Sequence, residues 1–69
     1  MKRRYQEKFS MFTLKFSTDN AAFSENPNDE VARILKEVAL RMTDYGEAKR
    51  GPIFDINGNK IGEFELTER

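Results

Sequence analysis

Ile53-Phe54-Asp55-Ile56-Asn57-Gly58-Asn59-Lys60-Ile61-Gly62-Glu63-Phe64-Glu65-Leu66 consists of two alternating apolar and polar runs joined by Asn-Gly. Asn and Gly adopt positive φ at low cost, and the flanking alternation predicts a β-hairpin. Its register follows from parity. If Phe54 and Ile56 face the core on one strand, and Phe64 and Leu66 do so on the next, paired positions must sum to an even number, which requires an odd-numbered loop. A three-residue connection, Asn57-Gly58-Asn59, meets this condition by setting Ile56 opposite Lys60 and Phe54 opposite Gly62. A two-residue Asn57-Gly58 turn would put Phe54 opposite Ile61. The expected turn is therefore bulged or longer, with Gly58 or Asn59 at positive φ. On this register Ile53 and Ile61 lie on the outer face of the sheet with Met11, joined by Phe9.

Upstream, Phe9 to Ser17 also alternates, with Phe12, Leu14 and Phe16 on one side and Met11, Thr13, Lys15 and Ser17 on the other, as in a half-buried strand. Thr18 to Glu25 reads as a loop whose Phe23 anchors back onto the core. Asn26-Pro27-Asn28-Asp29-Glu30 then has the marks of a helix start: Asn26 as N-cap, Pro27 at the first helical position, and acidic groups facing the positive end of the macrodipole. Val31, Ile34, Leu35, Val38, Met42 and Tyr45 fall within about 100° of arc at helical periodicity. Gly46 stands where a left-handed residue ends a helix. Leu40 points nearly opposite Val38, among charged side chains, as a singly exposed leucine or a partner contact.

These readings predict an α+β fold: a single β-α-β-β domain over 9–69, preceded by a mobile basic arm over 1–8. The strands are expected at about 9–17, 50–56 and 60–67, with the helix at about 27–45. They form a three-stranded antiparallel sheet in the spatial order first, third, second, with the helix packed on one face. The expected core is Phe12, Leu14, Phe16, Val31, Ile34, Leu35, Val38, Met42, Phe54, Ile56, Phe64 and Leu66. One helix covers one face of such a sheet, so apolar residues on the other face must be solvated, covered by the arm, or buried by a partner.

The 69 residues contain no cysteine and no histidine, which removes disulfides, thiolate nucleophiles, zinc sites of the cysteine type and the commonest general base. Carboxylates, lysines, tyrosines and hydroxyls remain, in no spacing that argues for catalysis or a cofactor, and the expectation is a non-enzyme. Twelve basic and twelve acidic side chains balance to zero net charge, so composition predicts no dominant attraction to phosphate backbones. Met1-Lys2-Arg3-Arg4 is basic but no apolar region follows it, and no run approaches the roughly 18 apolar residues of a membrane span. A soluble cytoplasmic protein without membrane contact is expected.

Asp55-Ile56-Asn57-Gly58-Asn59 superficially matches the opening of a calcium loop, but its glycine comes too early, ahead of the sixth position, and the chain leaves as a strand before the remaining ligands. No metal site is expected. Lys2, Arg3, Arg4 and Lys8, with Lys49 and Arg50 near the second strand, could together grip a nucleic acid backbone. They carry the alternative functional reading.

Thr18-Asp19-Asn20-Ala21-Ala22-Phe23, Glu30-Val31-Ala32-Arg33-Ile34-Leu35 and Asp55-Ile56-Asn57-Gly58-Asn59-Lys60-Ile61-Gly62 together resemble small, mostly uncharacterised reading frames of tailed bacteriophages. The resemblance spans roughly Met11 to Leu66. It implies a viral protein acting in a bacterial cytoplasm, where small phage products bind and inhibit or modulate host proteins; it transfers no site residue. The expected function is thus a protein-binding module for a host protein, with a homodimer as a further form. The expected contacts are Met11, Ile53 and Ile61 on the outer sheet face, or Leu40 on the helix. The alternative is a nucleic-acid-binding accessory protein.

Overall fold

The computed structural model describes residues 9–44 and 48–68. The basic arm, with Lys2, Arg3, Arg4 and Lys8, and the expected helix-end residues Tyr45 and Gly46 lie outside the described residues. Strand β1 (Phe9–Phe16) is followed by a 3-10 turn at Ala21–Phe23, helix α1 (Pro27–Thr43), strand β2 (Arg50–Phe54) and strand β3 (Lys60–Glu68). The strands form one antiparallel sheet in the order β1-β3-β2, and the fold is α+β.

Helix α1 starts at Pro27, whose missing N–H would have no partner in the first turn. Asn26 holds the cap position, but its side chain makes no capping bond; its main-chain carbonyl accepts from the Asp29 and Glu30 amides instead. Ile34 and Val38 form the buried line of the helix and pack with Phe23, Ile53 and Phe64 as the core. Phe23 anchors the loop, as the sequence predicts. Its ring stacks on Phe16 at 6.1 Å.

The hairpin departs from the expected register. Arg50 pairs with Glu65, Gly51 with Phe64, Pro52 with Glu63 and Ile53 with Gly62, so the paired positions sum to an odd number; only at the end does Phe54 face Lys60, with Ile61 as the extra residue. Five residues, Asp55 to Asn59, make the connection. Consequently Ile53, expected on the outer face, is 2 % exposed in the core, while Phe54 and Ile56, expected in the core, are 46 % and 62 % exposed. Ile61, also expected outside, is half-buried and packs against the core cluster. An odd-numbered loop alone would give an even sum; the bulge at Ile61 makes it odd, and so lets Ile53 and Phe64 share a face.

Two other expected core residues are also open. Phe12 is 43 % and Leu35 47 % exposed, because α1 packs chiefly over β2 and the 3-10 turn and leaves the helix-side face of β1 partly uncovered. The outer sheet face is mostly polar. Arg50 there forms an ion pair with Glu65 at 3.2 Å, and Lys15 lies opposite Glu63.

Candidate functional site

The loop Asp55–Asn59 stands at the end of the hairpin, and two carboxylates hold it. Asp55 is 4 % exposed. Its Oδ1 accepts from the amides of Asn57 and Asn59, both at 2.9 Å, and its Oδ2 accepts from the side-chain amides of Asn20 at 2.7 Å and Asn59 at 3.1 Å. This is what an Asx residue does at a turn, extended by a donor from the distant loop at Asn20. Glu30 on α1 is the second anchor. Its Oε2 accepts the Ile56 amide at 2.8 Å, and its two oxygens take Arg33 Nε at 2.9 Å and Nη2 at 3.0 Å. Arg33 Nη2 also donates to the Phe54 carbonyl at 3.2 Å, which ties the helix to the hairpin on both sides of Asp55.

Main-chain bonds complete the loop. The Asp55 amide donates to Asn59 O and the Gly58 amide to Asp55 O, with Gly58 at φ 88°. Every amide from Asp55 to Asn59 therefore has an acceptor, and the loop has no unsatisfied main-chain donor left to bind a ligand.

The electrostatics follow from this bonding. Hydrogen bonding to the Arg33 guanidinium, helped by the Ile56 amide, holds the Glu30 carboxyl below its usual value against the cost of burial, and Arg33 is raised in turn. Burial opposes ionisation of Asp55, yet the amide donors from Asn59, Asn20 and Asn57 together outweigh it and leave its carboxyl below the usual value. Both groups are thus ionised at neutral pH and fully engaged, which suits them to hold a shape and leaves neither as a proton-transfer group. Among the described residues no cluster of His, Cys, Asp or Glu could hold a metal ion. Nor is any helix there long and apolar enough to cross a membrane.

Beside its exposed Asn57, Gly58 and Asn59, this end of the hairpin carries two large exposed apolar side chains. Phe54 and Ile56 project into solvent beside Arg33 and the exposed Lys60. Of the contacts expected from sequence, Met11 and Leu40 are exposed, on β1 and on α1 respectively, whereas Ile53 is buried inside the chain and offers no surface. The structure does not bring Met11 and Ile61 into one patch with Ile53. Lys49 and Arg50 are exposed at the start of β2.

The sequence does not show the long-range bonds by which Asn20, Glu30, Arg33 and Asp55 join the loop, the helix and the hairpin. All four sit in the segments 18–23, 30–35 and 55–62, which the fold gathers at one end of the molecule. Comparison with protein-family models, curated proteins and solved structures finds no match for this chain.

Proposed function

We propose that this protein is a non-enzymatic binding module that docks the Phe54 and Ile56 side chains into an apolar pocket of a protein partner. The observation that carries this reading is the pairing of two large exposed apolar side chains with a loop whose five amides are all bonded. Apolar groups held in place before binding lose little conformational freedom on association, which is the property of an interface anchor. Lys60, exposed opposite Phe54, favours a pocket with an acidic rim. The resemblance to phage reading frames adds a context, a bacterial host protein whose action is inhibited or modulated.

The test is retention of host-lysate proteins, after nuclease treatment, on immobilised wild-type protein and on Ile56→Asp, Met11→Asp and Leu40→Asp variants. The expected result is one stoichiometric protein retained by wild type, Met11→Asp and Leu40→Asp, reduced at least about tenfold by Ile56→Asp, and little affected by moderate salt. Retention indifferent to Ile56→Asp, or abolished by nuclease, would overturn the reading; the second outcome would favour nucleic acid.

A further inference from the structure

The two edges of the sheet are built differently. On β2, hydrogen bonding of Leu66 N to Lys49 O sets the phase, so that residues 49, 51 and 53 bond to β3 and residues 50, 52 and 54 turn their main-chain groups outward. That outward row is closed off. Pro52 has no N–H to offer, its carbonyl accepts Arg41 Nη1 at 2.6 Å, and the Phe54 carbonyl accepts Arg33.

On β1, hydrogen bonding of Ser17 N to Ile61 O sets the opposite set: residues 11, 13 and 15 bond to β3, and Phe12, Leu14 and Phe16 turn their amides and carbonyls outward. No described side chain or main chain takes them up. The strand carries one charged residue, Lys15, and no proline. The same strand is where the helix leaves apolar surface uncovered. Arg33, Glu30 and Arg41 tie one side of α1 to β2 and the hairpin loop, and at helical periodicity Val31, Leu35 and Met42 lie on the other side, toward β1, with no charged residue among them.

We infer that β1 is a strand-addition edge for a second copy of this chain, forming a two-fold dimer with a continuous six-stranded sheet. Antiparallel pairing of β1 with its own counterpart matches the outward amides and carbonyls in two registers: centred on Thr13, Phe12 meets Leu14; centred on Leu14, Leu14 meets itself and Phe12 meets Phe16. A two-fold axis perpendicular to the sheet keeps both helices on one face, so the half-open Phe12 and Leu35 of each copy meet across the seam. Charge is compatible with this pairing and not with its alternatives. In these registers Lys15 faces Met11 or Thr13 of the second copy, whereas centring on Lys15 would oppose two like charges. An acidic or basic peptide would find no complementary row on the helix side of the seam; an uncharged, self-complementary strand fits it. The dimer uses none of the residues of the Phe54 and Ile56 contact.

The experiment combines sedimentation equilibrium of the full chain over a concentration series with amide exchange. The dimer predicts a mass rising to twice the 8.1 kDa of the chain, and protection of the Phe12, Leu14 and Phe16 amides that rises with it to match Thr13 and Lys15. Phe12→Lys places a charge in the seam, and Thr13→Lys, at an exposed position opposite Glu65, does so without touching the core. Both variants are expected to remain folded by circular dichroism, to sediment as monomers, and to show exchange alternating between fast even-numbered and slow odd-numbered residues. A wild-type mass of one chain at all concentrations with that alternation, association that survives Thr13→Lys, or a different protein occupying the edge would overturn the inference.

Discussion

Asp55 shows how one side chain changes meaning between sequence and structure. In sequence it is a polar residue before a turn; in the fold it is a buried acceptor for four hydrogen bonds, one of them from Asn20, thirty-five residues away. Asp55→Asn keeps the shape but turns one oxygen into a donor that faces other donors. It is expected to lower the urea midpoint with an unchanged slope, and a midpoint equal to wild type would refute the anchoring role. The glycines of the hairpin have separate duties. Gly58, at φ 88°, avoids a strain that Gly58→Ala would introduce at about 1 kcal/mol. Gly62 lies so close to β1 that a Cβ would run into the Lys15 carbonyl and the Phe16 main chain, so Gly62→Ala is expected to cost more, about 1–3 kcal/mol, in the same denaturation assay. The turn glycine was legible from the Asn-Gly pair. The close approach at Gly62 was not, because it depends on how β1 crosses β3.

At the scale of elements, local patterns carried the existence of each strand and of the helix, and the order β1-β3-β2 followed from the handedness of the crossover. Register did not follow, since Ile53, Phe54, Ile56, Ile61, Phe64 and Leu66 supply apolar residues of both parities and only the bulge at Ile61 decides which set is buried. The observed register has a direct consequence. Ile53→Lys puts a charge into the core and is expected to abolish cooperative unfolding, while Phe54→Lys, one residue on, stays within about 0.5 kcal/mol of wild type by thermal melting. The register first read from the sequence requires the reverse order. Helix α1 is held by Ile34 and Val38, and Ile34→Ala should cost about 2–5 kcal/mol. For a chain of this size that approaches the whole of its stability.

Across the whole molecule, the five buried apolar side chains sit between α1 and the β2–β3 half of the sheet, and a polar cluster closes the end where the 3-10 turn, the start of α1 and the hairpin loop meet. Composition conveyed the size and charge balance of the domain. It could not show this cluster, because Asn20, Glu30, Arg33 and Asp55 satisfy one another only once the chain has folded. The cluster makes stability pH-dependent in a defined direction. Glu30 and Asp55 both have folded-state values below their usual ones, so their contribution is complete above the unfolded carboxylate range of about pH 4 and is lost as pH falls through the lower folded values. Melting temperature is expected to hold from neutral pH to about pH 5 and to fall below about pH 4, with a smaller fall in a Glu30→Gln, Asp55→Asn double variant. An equal fall in both proteins would place the acid-sensitive groups elsewhere.

The Asp55–Asn59 loop is held rigid while Ile56, with Phe54 just before it, stands exposed to solvent. Nitrogen-15 relaxation of the backbone amides tests it without a partner in hand. Order parameters of about 0.85 at Ile56, Asn57 and Asn59, equal to those of the strands, are the expected result; values below about 0.6 would mean a mobile loop and no preformed contact at Ile56.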